Sequence, residues 1–183
     1  MSNPTDHLRS RLAAGVDAAF PDLVRLLQDG VYSGALQLTR SHHDAEDATQ
    51  ETFVRAYRAL AGYDADRIRA IELRPWVWTI ALNVCRNRAR AGRRRREQHI
   101  DDVSTVASDD PAADATATAD LAVWRSRLSH LSASQRTGVV LRYVVDLSYA
   151  EIAEATGRRE ATIRSDVRRG LERLRTIIAE EGR

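Results

Sequence analysis

A chain of 183 residues has room for one ordinary domain or two small ones. Apolar residues make up 43% and charged residues 30%, which allows real cores beneath very polar surfaces, and no apolar run is long enough for a membrane span. The formal net charge of +2 hides an uneven distribution. Basic residues cluster at Arg86–Arg96 and Arg158–Arg175 with acid between them, the pattern of two separate contacts with a polyanion. All 28 Lys+Arg positions are arginine, which favours bidentate contacts with phosphates and bases. Cys85 is the only cysteine, so no internal disulfide is possible, and the polar first twenty residues do not form a secretory signal. The expectation is a cytoplasmic protein without membrane insertion.

Residues 1–19 read as a loose lead-in. From Phe20, the positions Leu23, Leu26, Leu27, Val31, Ala35 and Leu36 recur at three and four, which predicts one amphipathic helix or a broken pair. Gly30 and Gly34 weaken its continuity. Asp44 suits the N-cap of the next helix, and Asp47 adds a carboxylate to its first turn, where the helix dipole favours one. The inward face of that helix is Ala45, Ala48, Thr49, Thr52, Phe53, Ala56 and Leu60; the outward face holds Asp47, Gln50, Glu51, Val54 and Arg58. Acidic residues around an exposed valine suit a docking surface or a plain solvated face. Residues 61–73 read as a loop with one helical turn at most. His42-His43 has no Cys or third His at ligand spacing, so no metal and no cofactor is expected, and no catalytic constellation is visible.

The stretch Arg74–Arg96 is apolar at its start and densely cationic at its end. Pro75 fits the first turn of a helix, where its missing N–H would have no partner. At helical period, Val77, Trp78, Ile80, Ala81, Leu82, Val84 and Cys85 form a broad apolar surface. Trp76, Thr79, Asn83, Arg86, Asn87 and Arg90 fall on the remaining stripe. A tryptophan among Asn and Arg suits a surface that stacks on unpaired bases while arginines hold phosphates, although an indole at a core edge would look the same.

Glu97–Asp120 contains no arginine or lysine but has Asp101, Asp102, Asp109, Asp110 and Asp114, and reads as a flexible acidic linker. Beyond it, Leu121, Trp124, Leu128 and Leu131 mark one helix. Ser132 with Gln135 forms a capping box opening a second, with Val139, Val140, Tyr143 and Val144 as apolar positions. Ser148 with Glu151 opens a short third helix over Tyr149–Thr156, and Gly157 is a natural stop. A fourth helix runs from Glu160 to Ile178, burying Ile163, Val167, Leu171 and Leu174. Ala161, Thr162, Ser165, Arg168, Arg169 and Glu172 face away, with Arg164 on the flank. A short helix, a glycine turn and a longer helix with a basic outer face make a helix-turn-helix, whose second helix enters the major groove. The fold class expected is all-α, as two small helical domains: residues 20–96 and 121–183, joined by 97–120.

Three of these motifs, in order, resemble the extracytoplasmic-function (ECF) group of bacterial RNA polymerase sigma factors. Asp44-Ala45-Glu46-Asp47-Ala48-Thr49-Gln50-Glu51-Thr52-Phe53-Val54-Arg55-Ala56-Tyr57 is similar to the family's second conserved region. Trp76-Val77-Trp78-Thr79-Ile80-Ala81-Leu82-Asn83 resembles its promoter-melting helix. Leu147–Ala153, followed by Ala161-Thr162-Ile163-Arg164-Ser165, resembles its fourth region. The resemblance implies that Asp44, Glu46, Asp47, Gln50 and Glu51 bind core RNA polymerase. It implies that the 61–74 loop, together with Arg74, Trp76, Thr79, Asn83, Arg86, Asn87 and Arg90, reads and holds single-stranded promoter DNA at the minus-ten element. It gives Thr162, Arg164, Ser165, Arg168 and Arg169 the duplex at the minus-thirty-five element. An anti-sigma factor is an expected partner, and no enzymatic activity is implied. Asp166, Arg158 and Arg159 depart from the family's pattern. The rival readings are a conventional helix-turn-helix regulator acting without polymerase, and a sigma mimic that sequesters an anti-sigma factor. The intact basic faces argue against the mimic.

Overall fold

The computed structural model describes residues 4–98 and 115–182. Every regular element among them is helical: α1 (Pro4–Ala14), α2 (Val16–Thr39), α3 (His42–Ala61), α4 (Ala65–Ala70), α5 (Leu73–Gln98), α6 (Ala115–Ser129), α7 (Ala133–Tyr143), α8 (Tyr149–Thr156) and α9 (Glu160–Glu181).

The expected lead-in is a helix. Leu8 and Leu12 lie one turn apart on α1 and are both buried, which gives it an apolar stripe too short to stand out in sequence. Arg9 fixes it to the start of α5, donating to Glu72 at 2.8 Å and to the Ile71 carbonyl at 3.3 Å. The second predicted segment is one unbroken helix, α2, whose buried face includes Leu23, Leu27, Val31, Ala35 and Leu36; Leu26 instead faces solvent. The cap of α3 is Ser41, not Asp44: the Ser41 hydroxyl accepts from the Asp44 N–H at 3.2 Å, leaving Asp44 in the first turn. The inward face expected for α3 is buried except for Thr49, which is half-buried and turns its hydroxyl to the Ala45 carbonyl. Asp64 caps α4 through the Arg67 N–H at 2.7 Å, so the 61–73 loop carries a defined short helix.

Helix encroaches on both ends of the segment read as a linker. Arginine is a good helix former and carries α5 to Gln98, while the alternating alanines of 115–120 open α6. Asp101, Asp102, Asp109, Asp110 and Asp114 lie outside the described residues. In the rear lobe both predicted capping boxes form, at Ser132/Gln135 and Ser148/Glu151. Gly157 closes α8 at φ 66°, the left-handed conformation that a glycine adopts without penalty. Trp124, Tyr143 and Val144, expected in the core, are exposed, because Arg125 takes the inward position on α6 and Leu141 the one on α7.

The two lobes share one core. Leu23, Val31, Trp78 and Leu82 from the front lobe join Leu141, Leu147, Ile152 and Ile163 from the rear in a continuous buried cluster. The helix-turn-helix therefore packs directly on α5. Gly34 makes this possible: a Cβ there would lie 2.3 Å from Cη2 of Trp78 and 2.9 Å from Cγ2 of Val145. Trp78 is rigid and only 2% exposed, so it has nowhere to go. Gly34→Ala is expected to cost about 1–3 kcal/mol through overpacking, read as a lower midpoint in urea. Gly30→Ala, where a Cβ meets nothing within 4 Å, is expected to stabilise the fold by about 0.5–1 kcal/mol through helix propensity alone, read as a higher midpoint.

Candidate protein and nucleic-acid interfaces

Three surfaces carry the charged residues singled out by sequence. The first is the N-terminal half of α3. Glu46 and Gln50 are exposed there, whereas Asp44, Asp47 and Glu51 are half-buried beneath one arginine of α5. Arg88 Nη1 lies 2.9 Å from Asp47 Oδ2 and 3.9 Å from Asp44 Oδ1, and Nη2 lies 3.4 Å from Glu51 Oε2. In the sequence Arg88 is one more member of the basic block Arg86–Arg96. Its spacing from Ala81, Val84 and Cys85 puts it on the edge of the apolar face of α5, which is the signal that it turns inward. Arg88 thus gathers three carboxylates into a patch and fixes α3 to α5. Val54 stands at the far end of the same face, 48% exposed.

The second surface is the polar stripe of α5. Asn83, Arg86, Asn87 and Arg90 are exposed together along one side, with Thr79 half-buried at the near end and its hydroxyl spent on the Pro75 carbonyl. Trp76 is half-buried, its ring packing edge-on to Tyr63 at 6.3 Å between centroids, and Arg67 lies over the opposite partner, 3.8 Å from the Tyr63 centroid. Tyr63 and Arg67, which the sequence places only within the 61–74 loop and does not single out, extend the aromatic–cationic surface. Arg74 is diverted from the stripe. Its guanidinium donates to the carbonyls of Val145 (3.2 Å) and Asp146 (3.0 Å) and lies 3.3 Å from Glu151 of the rear lobe.

Between the lobes, beside this stripe, opens a cleft of about 760 Å³. Arg40, Arg86, Arg90 and Arg136 contribute its cationic rim, and Leu38, Leu82 and Cys85 its apolar floor. Arg136 spends its guanidinium on the carbonyls of Leu128, Ser129 and Leu131. Burial, with Arg40 adding repulsion, lowers its pKa. Burial likewise pushes the Cys85 thiol up to about 11, so it remains protonated and unreactive at neutral pH. No group of His, Cys, Asp and Glu suited to a metal occurs among the described residues, and His42 turns its ring to the Tyr32 hydroxyl at 3.0 Å.

The third surface is the outer face of α9. Thr162, Arg164, Arg168 and Arg169 are exposed and Ser165 half-buried, all on the side away from Ile163, Val167 and Leu174. Arg164 lies 2.5 Å from Glu160, Arg168 lies 3.0 Å from Glu172, and Arg169 donates to Ser165 at 2.8 Å. Exposed pairs at one-turn spacing are weak, so phosphate can displace the carboxylates. Tyr149, between the guanidinium groups of Arg142 and Arg164, orients Arg164 from the flank.

A helical front lobe with an acidic face and a Trp/Asn/Arg stripe, followed by a capped helix-turn-helix, defines a two-part DNA-binding transcription protein. Residues 23–95 match the family Sigma-70 region 2, and residues 121–174 match Sigma-70, region 4. The chain is 30% identical over 175 residues to ECF RNA polymerase sigma factor SigL of Mycobacterium tuberculosis, covering 92% of this chain and 96% of that one. It is 35% identical over 177 residues to ECF RNA polymerase sigma factor SigE of Mycolicibacterium smegmatis, covering 92% of this chain and 66% of the relative. Among solved structures it superposes on the sigma factor RpoE of Bartonella quintana, crystallised with the anti-sigma factor NepR, with a TM-score of 0.69 and 26% identity over 87% of this chain and 96% of that one. The chain belongs to the ECF sigma factors, the transcription-initiation subunits that direct RNA polymerase to promoters. No helix among the described residues is long and apolar enough to cross a membrane.

Asp47→Arg sets a second guanidinium against Arg88 and is expected to lower the melting temperature by about 2–4 °C, the shift that roughly 1 kcal/mol produces in a chain of this size. Gln50→Arg, on the exposed part of the same face, is expected to leave it unchanged. Parallel thermal melts of the two variants check this.

Proposed function

We propose that the acidic face of α3 docks on a basic surface of core RNA polymerase, with Glu46 and Gln50 as direct contacts and Asp44, Asp47 and Glu51 presented by Arg88. The polar stripe of α5 then holds the unpaired minus-ten strand, and α9 reads the minus-thirty-five element as duplex. The observation that carries this reading is the division of α5: one face buried by two lobes, the opposite face free and lined with Asn83, Arg86, Asn87 and Arg90. Amides reach base edges and guanidinium groups hold phosphates. Trp76, braced by Tyr63, stands where an unpaired base could stack on the exposed part of its ring.

Opening the duplex draws on binding energy and has no covalent step, so the protein acts without catalysis of its own. It acts in the cytoplasm, where polymerase and promoter meet. Arg74 joins the strand-holding set only once it leaves the Val145 and Asp146 carbonyls, which requires the lobes to part. An anti-sigma factor, by analogy with the complex of RpoE with NepR, would hold the protein inactive by occupying these surfaces.

The deciding experiment is co-purification with core RNA polymerase, followed by permanganate footprinting on a promoter recovered by the holoenzyme. Glu46→Arg and Gln50→Arg are expected to weaken polymerase association by tenfold or so with an unchanged fold, about 1.4 kcal/mol. Asn83→Ala and Trp76→Ala are expected to remove reactive thymines near the start site while sparing polymerase association. Tight duplex binding with no polymerase association would replace this reading with that of a conventional helix-turn-helix regulator.

A further inference from the structure

Two residues that depart from the family's pattern meet in the structure. The turn between α8 and α9 is closed by Gly157, and the N–H of Arg158 donates to the Ala153 carbonyl at 3.1 Å. The side chain of Arg158 reaches eight residues ahead, where its Nη2 donates to Asp166 Oδ2 at 2.5 Å. Asp166 is the only charged residue of α9 in its buried set, 7% exposed and flanked by Ile163 and Val167. The pair ties the turn to the second turn of α9.

This pair differs in kind from the others on α9. Glu160 and Glu172 hold Arg164 and Arg168 in water, with side chains 42% and 51% exposed, so their exchange for phosphate is cheap. The Asp166 side chain is 11% exposed. Removing Arg158 from it would strand a buried carboxylate, which is costly. Arg158 stands two positions before the first residue of α9, at the end of the helix that enters the groove. A free guanidinium there would add a phosphate contact to every sequence alike, raising affinity without discrimination.

We propose that Asp166 is a specificity-determining residue: it withholds Arg158 from the DNA backbone, so that duplex binding depends on Thr162, Arg164, Ser165, Arg168 and Arg169. The inference rests on the reading of α9 as the duplex-binding helix. Asp166 acts as a positioning residue through Arg158 and touches no DNA itself.

The test is fluorescence anisotropy of the full chain on a random-sequence 30-bp duplex, between roughly 50 and 200 mM salt, the range over which phosphate contacts are resolved. D166N frees Arg158, and is expected to bind this duplex about three- to eightfold tighter at 100 mM salt, with a salt slope steeper by about 0.9, one phosphate contact. R158Q and the double variant R158Q/D166N are expected to keep the wild-type slope. The apolar pair R158M/D166L preserves the packing without charge and is expected to keep it too. A slope shallower by about 0.9 in R158Q or R158M/D166L would mean that Arg158 already contacts phosphate, which overturns the proposal. A folded D166N with the wild-type slope overturns it as well. Should D166N fail to melt cooperatively, R158M/D166L decides by the same criterion. Arg168→Ala separates the two levels of the argument: if its slope equals that of the wild type, α9 is not the duplex reader and the proposed function fails at that point.

Discussion

Everything in this molecule depends on the contact of Trp78 with Gly34. A helix as long as α5 must bury its apolar face along the half that precedes the arginines, and α2 and α3 cover only part of it. The rest is covered by the rear lobe, through Leu147, Ile152 and the turn at Val145. An indole between three helices leaves no space for a Cβ on the helix facing it, so position 34 must be glycine despite the propensity that glycine costs in a helix interior. Close approach at this one point sets how tightly α2 packs on α5 and how near the Val145 turn of the rear lobe comes to α2. It thereby fixes which side of α5 is covered and which stays free for ligands.

Charge is organised on the same basis. Exposed arginines of α9 rest on carboxylates one turn away that water already weakens, so they are held ready without being neutralised. Arginines nearer the core are committed elsewhere: Arg88 to Asp47 and Glu51, Arg136 to three carbonyls, Arg158 to Asp166. A chain with 28 arginines and no lysine gains from this division. The planar fork can satisfy several acceptors at once, which lets an inward arginine act as a structural tie. A count of arginines takes both kinds equally, and so it overstates how much of the basic charge is actually free.

The elements with strong local signals were legible in the sequence. Two capping boxes, the stop at Gly157 and the periodicity of α3, α5 and α9 require only neighbours within one or two turns, and these helices lie where their patterns place them. What was not legible depends on distant partners. Helix α1 has only Leu8 and Leu12 to bury and acquires its place from Arg9 reaching Glu72. Trp124 and Tyr143 fit an apolar period but lie outside the core, because the direction of each stripe is set by where the neighbouring lobe lies. On the candidate interfaces, sequence periodicity grouped the residues that share an exposed face and did not reveal the arginines that support them. An arginine in a basic block reads the same whether it points at a phosphate or at Asp47. Arg158 and Asp166 were each conspicuous as departures, and only their proximity in space makes them a pair.

The shared core also constrains how the protein can work. Parting the lobes to release Arg74 exposes Trp78, Leu82, Leu147 and Ile152 to water, and burial of apolar side chains of this size is worth about 1.5–3 kcal/mol each. Promoter DNA, met through arginines and amides, has little apolar surface with which to replace that loss. A ligand shifts such an equilibrium only by its difference in affinity for the two states. The free energy of opening must therefore come chiefly from a partner that covers apolar surface in the open form; under the proposed function that partner is the polymerase, and Val54 lies exposed beside the acids of α3. Under the proposed function, polymerase docking therefore precedes full promoter capture: protein surface supplies the burial that separates the lobes, and DNA, which meets the exposed stripe of α5 in either state, then gains Arg74.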